Sequence, residues 1–281
     1  MKVIDNIQRM VMFSKLAKKE SKTIGLVPTM GYLHDGHLSL IKTARQHTDA
    51  VVVSIFVNPK QFSPGEDLEK YPRDLKRDEE MARLAGSDVL FYPSDADMYP
   101  DGYATYVDAE IFADTLCGRV RPGHFKGVAT VVAKLFGIVR PDIAYFGQKD
   151  AQQSIIIKKM VEDLNMDIDI KVLPTVREKD GLAMSSRNIY LSEEERKEAL
   201  CLYQALLKCE SAVRSGERDA GKIVKMAKNI IKERPTARID YIEAVNTKTL
   251  APVDTVSCET LLALAVFIGK TRLIDNAIIN P

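Results

Sequence analysis

The chain has 281 residues, 46% of them hydrophobic, which is enough for one large globular domain or two smaller ones. Its 40 basic residues nearly balance its 39 acidic residues, so no positively charged footprint for nucleic acid is visible. The four cysteines form no CxxC pair, the first residues carry no apolar leader, and no apolar run has the length of a membrane span, so we expect a cytoplasmic protein with reduced thiols.

The first elements along the chain are predicted to be a helix, a buried strand and a second helix. Residues 5 to 20 have the apolar periodicity of an amphipathic helix. Residues 24 to 27 form a short apolar run that predicts a strand ending before Pro28, because proline has no N–H group for a sheet ladder. Helical periodicity returns at about His34 and continues to about His47.

The loop between this strand and this helix is the first candidate site. It reads Pro28-Thr29-Met30-Gly31-Tyr32-Leu33-His34-Asp35-Gly36-His37. Such a loop binds nucleotide phosphates in α/β sheets, because free N–H groups and the helix dipole both face it. His34 and His37 are three residues apart, so both rings point the same way on a first helical turn. Zinc is the alternative use of two close histidines, but no further ligands follow at metal spacing.

A second buried strand is predicted over residues 50 to 57, which are apolar and mostly β-branched. Asn58 and Gln61 follow its carboxyl end, where ligands gather in parallel sheets, and both are candidate site residues. For Asn58 an ordinary polar loop is an equally good interpretation. The charge-rich stretch 66 to 80 predicts a solvated helical face.

The next stretch combines a strand, a turn-rich loop and a basic cluster. Residues 88 to 93 predict a third strand, and residues 94 to 106 predict a loop. Arg121 and His124 then precede a helix predicted over residues 127 to 139. They suit an anion, and a surface pair is the alternative interpretation.

The strand-to-helix design recurs after residue 142. A predicted strand over residues 142 to 146 leads into Gly147-Gln148-Lys149-Asp150 and a helix to about residue 164. Lys149 suits a phosphate and Asp150 suits ribose hydroxyls, while Gln153 lies four residues after Lys149 on the same helical face. Another strand is predicted over residues 169 to 173.

A third candidate stretch runs from Val176 to Met184-Ser185-Ser186-Arg187, where two hydroxyls and an arginine in a loop suit a triphosphate. Ser192 and Glu195 then form a capping box that opens a helix to about residue 214, and a second helix follows over residues 219 to 233. Three alternating strands are predicted over residues 238–245, 261–268 and 272–279. We therefore expect an α/β Rossmann-like domain over residues 1–175, with helices on both faces of a parallel sheet, and a smaller α+β lid domain over residues 176–281.

Five motifs in one order resemble the pantothenate synthetase (pantoate–β-alanine ligase) family over essentially the whole chain. That family belongs to the nucleotidylyltransferase superfamily, with HIGH-type and KMSKS-type motifs. The motifs are Pro28-Thr29-Met30-Gly31…His34-Asp35-Gly36-His37, Val57-Asn58-Pro59…Gln61-Phe62, Arg121-Pro122-Gly123-His124-Phe125, Tyr145-Phe146-Gly147-Gln148-Lys149-Asp150…Gln152-Gln153 and Met184-Ser185-Ser186-Arg187-Asn188.

The resemblance implies ATP-dependent condensation of pantoate with β-alanine through a pantoyl adenylate, with Mg²⁺ and a homodimer. It implies His37 as proton donor, with His34, Lys149, Ser185, Ser186 and Arg187 as the other catalytic residues. It implies ATP contacts at residues 30 to 37, 147 to 150, Val176 and 184 to 187. It implies pantoate contacts at Gln61 and Gln153, with Gln61 also near β-alanine, and further contacts at Pro28, Thr29, Asn58, Arg121 and His124.

Two other functions fit the same motifs. The chain could transfer a nucleotide and stop, as other nucleotidylyltransferases do, or it could sense a nucleotide without catalysis. A tRNA-binding role is disfavoured by the near-zero net charge and the small second domain. All the enzymatic interpretations require that His34, His37 and Lys149 act on one triphosphate.

Overall fold

The computed structural model describes residues 1–281, which form two compact units. The first unit contains a six-stranded sheet and the second contains a three-stranded sheet. The first comprises Met1–Ala113, Arg121–Gly147 and Ile156–Pro174, and the second comprises Asp114–Val120, Gln148–Ile155 and Thr175–Pro281.

Nine strands and ten α-helices make up the regular structure. The strands are β1 (Lys2–Ile4), β2 (Ile24–Thr29), β3 (Ala50–Ile55), β4 (Val89–Phe91), β5 (Ile143–Gly147), β6 (Asp169–Leu173), β7 (Ala237–Asn246), β8 (Thr260–Ile268) and β9 (Thr271–Ile279). The helices are α1 (Ile7–Lys19), α2 (Asp35–His47), α3 (Leu75–Ala85), α4 (Asp95–Met98), α5 (Leu116–Val120), α6 (His124–Val139), α7 (Ala151–Asp163), α8 (Glu193–Glu198), α9 (Cys201–Arg214) and α10 (Ala220–Lys232). None of these helices has the length and apolarity needed to cross a bilayer.

The strands of the larger sheet are all parallel, in the order β1-β4-β3-β2-β5-β6. The chain runs outward in one direction from β2 through β3 to β4, and in the other direction from β5 to β6. The strand order therefore reverses between β2 and β5, and ligands bind beyond the carboxyl ends of strands at such a switch point. The predicted α/β class with a parallel sheet is confirmed.

Strand β3 is buried along its whole length, as its apolar sequence predicts. Val51, Val53 and Ile55 pack in one apolar cluster with residues of α2 and α3. The alternate residues of the strand are buried as well, so both faces of the sheet are covered here.

The strand predicted over residues 24 to 27 was expected to end before Pro28, and this prediction is wrong by two residues. Strand β2 continues through Pro28 to Thr29, and both pair with β3. The carbonyl of Thr29 accepts from the N–H of Phe56, which directly follows β3, so the alternation of a parallel ladder turns the nitrogen of Pro28 to the opposite side. Pairing with β5 has already ended at Leu26, so no ladder bond is lost at Pro28.

The second unit packs α9 and α10 with its antiparallel sheet, whose strand order is β7-β8-β9. The predicted small α+β domain is confirmed as a fold class. Helix α8 has the predicted capping box at Ser192 and Glu195. However, the single helix predicted up to residue 214 is two helices, because the chain turns after Glu198, whose carboxylate accepts from the N–H and hydroxyl of Thr236.

Two further elements differ from prediction. Helix α6 begins at His124, three residues before the predicted start at residue 127. Strand β1 was not predicted; it is three residues long and pairs with β4 at the edge of the sheet. A run this short carries too little periodicity to be recognised.

Candidate active site

The loop after β2 has a backbone that few side chains tolerate. Gly31 and Tyr32 both have positive φ, at 83° and 48°. A Cβ atom on Gly31 would lie 2.9 Å from Cγ2 of Ile55 and 3.0 Å from a carboxylate oxygen of Asp78. Glycine is therefore required at residue 31, both by its conformation and by the close approach of its neighbours.

Asp78 on α3 holds this loop through two backbone bonds. Its carboxylate oxygens accept from the N–H groups of Tyr32 and Leu33, each at 2.7 Å. Its neighbour Arg77 donates to the carbonyl of Leu33 at 2.8 Å and lies over the Tyr32 ring. Burial raises the pKa of Asp78, while the two backbone bonds act against that rise.

The prediction of a solvated helical face over residues 66 to 80 is wrong in two respects: the helix begins only at Leu75, and Asp78 is 1% exposed. The sequence contains a signal for this burial. Leu75, Asp78, Ala82 and Ala85 follow the spacing of one helical face, and the last three are buried. A carboxylate on the apolar face of a helix needs internal partners, and the loop supplies them.

His34 and His37 form a reciprocal cap at the start of α2. Nδ1 of His34 accepts from the N–H of Gly36 at 3.2 Å, and Nδ1 of His37 accepts from the N–H of His34 at 3.3 Å. The rings stack with centroids 4.0 Å apart, so the prediction that they point the same way is confirmed. Because Nδ1 accepts in each ring, the neutral imidazole carries its proton on Nε2, which makes Nε2 a donor.

Gln61 and Asn58 follow β3 and are hydrogen-bonded to each other. The Gln61 oxygen accepts from Nδ2 of Asn58 at 3.1 Å, and Nδ2 also donates to the carbonyl of Gly127 at 3.0 Å. The Tyr99 hydroxyl donates to Oδ1 of Asn58 at 2.7 Å, which sets the orientation of that amide. The amide nitrogen of Gln61 contacts Sδ of Met30 at 3.3 Å, so Gln61 presents a donor next to the loop after β2.

Arg121 and His124 are brought together with Gln61 and Glu66. Arg121 pairs with the Glu66 carboxylate through two nitrogens, at 2.7 and 2.6 Å, and its Nη1 lies 3.0 Å from Nε2 of His124. Nδ1 of His124 lies 2.8 Å from the Gln61 carbonyl. Burial acts to raise the pKa of Glu66, but the hydrogen bond and charge of Arg121 outweigh it and hold the pKa below its ordinary value. The anion that Arg121 meets in this structure is therefore Glu66.

A cavity of about 440 Å³ lies over the carboxyl ends of β2, β3 and β4. Its wall includes Met30 and Gly31 of the loop, with Phe56 and Tyr92. The charged residues of the wall are Arg73, Glu69, Asp74, Asp78 and Asp95. This volume is within the range of small-molecule sites. The larger unit thus offers a concave surface beside its loop.

Lys149 lies in the second unit, in a 3-10 turn, Gln148–Asp150, that leads into α7. Its ammonium lies 3.5 Å from the Asp150 carboxylate, and its side chain is 21% exposed. Asn276 on β9 donates to the carbonyls of Gln148 and Lys149, each at 2.9 Å. The turn that carries Lys149 is therefore fixed by a strand of the small sheet. Gln153 lies on the first turn of α7.

The structure pairs Val176 with Met184, two predicted ATP contacts. The N–H of Met184 donates to the carbonyl of Val176 at 3.0 Å, which closes a short hairpin. The hydroxyl of Ser185 then accepts from the N–H of Arg187 at 3.2 Å and caps a 3-10 helix, Ser186–Tyr190. The hairpin and the cap together fix the backbone of the Ser-Ser-Arg segment.

The structure thus separates the predicted site residues into two sets, each held within its own unit. The histidines and Gln61 lie in the first unit with Asn58, Arg121 and His124. Lys149 lies in the second unit with Gln153 and the residues around Ser185. Sequence reasoning missed the residues that hold these sets in place, which are Asp78, Tyr99, Glu66 and Asn276.

Comparisons with known proteins agree on one family. A family model described as pantoate–β-alanine ligase matches residues 2–278. A pantothenate synthetase of Acetivibrio thermocellus is 56% identical over 280 residues, covering 100% of both chains, and one of Pelotomaculum thermopropionicum is 55% identical over 100% of this chain and 99% of its own.

Solved structures give the same result. The pantothenate synthetase of Thermus thermophilus has a TM-score of 0.95 at 43% identity, covering 100% of both chains. A pantoate–β-alanine ligase of Francisella tularensis, solved in complex with β-γ ATP and β-alanine, has a TM-score of 0.83 at 37% identity and covers 99% of this chain and 97% of its own.

Proposed function

The chain belongs to the pantoate–β-alanine ligase family, and we propose that it joins pantoate to β-alanine in two steps through a pantoyl adenylate. In the first step a pantoate carboxylate oxygen attacks the α-phosphorus of ATP, and pyrophosphate leaves. In the second step the β-alanine amine attacks the acyl carbon, the bond to AMP breaks, and the amine loses a proton. The products are pantothenate, AMP and pyrophosphate.

The observation that carries this proposal is the pair of imidazoles that cap helix α2. Two Nε2 donors stand at the N-terminus of a helix, beyond the carboxyl end of β2 at the switch point of the sheet. Donors fixed in place before reaction stabilise charge that grows on a phosphate. We assign His37 as the proton donor to the leaving pyrophosphate and His34 as its neighbour on the same phosphates.

The remaining roles follow the two sets of residues. Lys149, Ser185, Ser186 and Arg187 are proposed to neutralise the triphosphate, and the segment 176–281 is proposed to act as a lid that carries three of them. Gln61 is proposed to contact pantoate and β-alanine through its amide nitrogen, with Gln153 as a second pantoate contact. Both sets are proposed to act on one ATP molecule. The remaining proposed ATP contacts are residues 30 to 33, 35, 36, 147, 148, 150, 176 and 184, with Pro28, Thr29, Asn58, Arg121 and His124 lining the site.

Mg²⁺ is proposed to accompany ATP. The pantoate carboxylate is negatively charged, so the negative charge of the triphosphate must be screened before the carboxylate can attack it. Mg²⁺ in such sites is held mainly by substrate phosphates with one or two carboxylates. No group of three or more His, Cys, Asp or Glu side chains in the chain is arranged to hold a metal by itself, which fits an ion that arrives with the substrate phosphates. EDTA should abolish turnover, and added Mg²⁺ should restore it.

Pyrophosphate exchange tests the proposed course directly. With pantoate, ATP and Mg²⁺ but no β-alanine, the protein should exchange labelled pyrophosphate into ATP, because the adenylate forms reversibly. Addition of β-alanine should release AMP and pantothenate together. A nucleotidylated product without amide formation would favour a simple nucleotidylyltransferase, and tight ATP binding without turnover would favour a nucleotide sensor.

We propose further that the protein is cytoplasmic and forms a homodimer. Both proposals rest on membership of the family. Sedimentation of the purified protein would reveal the dimer, and a monomer at micromolar concentration would contradict it.

A further inference from the structure

Two adjacent polar residues are buried in the middle of strand β9, with apolar residues on either side of them. Asp275 and Asn276 are 3% and 5% exposed on β9, between Leu273 and Ala277 of the core. A buried carboxylate loses its hydration, and well-packed apolar side chains in its place are often no less stable. A role in positioning other groups explains why polar side chains stand here.

Asn276 uses its side chain on one turn only. Its Nδ2 donates to the carbonyls of Gln148 and Lys149 at 2.9 Å, and its Oδ1 lies 3.4 Å from the Gln148 amide nitrogen. Two carbonyls of a three-residue turn are thus held by a single amide. The direction in which the Lys149 side chain leaves the backbone depends on this bond pair.

Asp275 holds the base of the hairpin that precedes the Ser-Ser-Arg segment. Its carboxylate pairs with both terminal nitrogens of Arg177, at 2.6 and 2.9 Å. The same guanidinium donates to the carbonyl of Gly181 at 3.1 Å and stacks on the Tyr203 ring at 4.2 Å. Arg177 follows Val176 directly, so the hairpin is fixed at the point where it begins.

The two residues are linked to each other. The N–H of Asn276 donates to Oδ1 of Asp275 at 2.8 Å, so the carboxylate accepts three bonds. The turn that carries Lys149 and the hairpin that leads to Ser185 are therefore bound by neighbouring residues of one strand. Neither residue belongs to any motif that marks the family in the sequence.

We propose that Asp275 and Asn276 are positioning residues that keep Lys149 and the Ser185–Arg187 segment at a constant spacing for the triphosphate. This proposal rests on the function proposed above. It places the two phosphate-binding segments of the second unit on one rigid support, so that they move together when ATP binds. Neither residue touches substrate in this scheme.

A double-mutant cycle separates positioning from general stability. Asn276→Leu should lower kcat/KM for ATP by about tenfold to a hundredfold in the wild-type background, because Lys149 loses its fixed direction. In a Lys149→Ala background the same change should lower it by less than about threefold, because coupled residues are not additive. Asp275→Asn should be coupled in the same way to Arg187→Ala.

Thr271→Val is the matched control. It replaces another buried polar residue of β9, about 16 Å along the strand from Asn276 at roughly 3.3 Å per residue. We expect wild-type kinetics from it. If Asn276→Leu does not fold, Asn276→Asp keeps the shape, turns the two donor contacts into repulsive ones, and should give the same coupling.

Two outcomes would overturn the proposal. One is a kcat/KM for ATP within twofold of wild type in both Asn276 variants. The other is an equal loss with and without Lys149, which would reveal a merely structural effect. Pyrophosphate exchange by the wild-type protein tests the proposed function separately. A wild-type protein without exchange would contradict the proposed function, whereas the two outcomes above contradict the positioning role of Asp275 and Asn276.

Discussion

His34 and His37 use the same ring atom, Nδ1, for the cap at the start of α2, and the role that we propose for them uses Nε2. Each Nδ1 accepts a backbone N–H at the start of α2, so the neutral ring donates from Nε2. The cap and the proposed donor role therefore depend on different atoms of one side chain. Asparagine can replace the Nδ1 acceptor and glutamine can replace the Nε2 donor, so the two functions can be removed one at a time.

We predict that His37→Asn lowers kcat on the order of a hundredfold, as other lost electrostatic donors do. His37→Gln should retain more activity than His37→Asn, because its amide nitrogen lies near the position of Nε2. Steady-state assays of AMP release would measure both. His47→Gln on the last turn of α2 is the control, and equal activity of the two His37 variants would remove the donor from the mechanism.

At the scale of elements, helix α3 supports the loop after β2, from which it is distant in the sequence. Asp78 reaches from its buried face to two N–H groups of the loop after β2, across 46 and 45 positions of the chain. Gly31 and Tyr32 have positive φ in this loop, and such a backbone persists where its surroundings hold it. The two hydrogen bonds to the Asp78 carboxylate stabilise this backbone conformation.

Asp78→Asn should lower kcat by about tenfold or more, because an amide accepts one of the two N–H groups and repels the other, and a bond to a charged group contributes about 1.5–3 kcal/mol. The melting temperature and kcat should be measured together, below the unfolding range of both proteins. Glu79→Gln, at the next position of the same helix, should behave as wild type. Unchanged kcat in Asp78→Asn would show that the loop needs no such support.

At the scale of the whole molecule, stability depends on pH through pairs such as Glu66 and Arg121. The folded protein holds the pKa of Glu66 below its ordinary value of 4.5, so the ionised form is favoured by folding. Its contribution is therefore present above about pH 4.5 and is lost as the pH falls through the folded value. The pair is largely shielded from water, because the Glu66 side chain is 23% exposed and the Arg121 side chain is 16% exposed.

Glu66→Gln should lower the free energy of unfolding by about 1 kcal/mol at pH 7, and the difference from wild type should shrink below about pH 4.5. Urea unfolding at about pH 7, 5 and 3.5 would measure it. Glu80→Gln, which removes an exposed carboxylate from α3, is the control. A difference that stays constant down to the lowest pH would contradict the assignment.

The sequence by itself determined the features that depend on a few neighbouring residues. The strand–loop–helix order, the Ser192 cap and the common direction of His34 and His37 follow from local spacing and local hydrogen bonds. The motifs at residues 28–37, 147–150 and 184–188 also identified the family, which the comparisons confirmed.

Only the tertiary structure decided which partners the buried polar residues hold. Asp78 and Glu66 lie in one charge-rich stretch, yet each binds a partner more than forty positions away. Asp275 and Asn276 likewise find their partners 98 and 127 positions earlier in the chain. Such bonds depend on which segments the fold brings together, and no local pattern of charge or hydrophobicity records that.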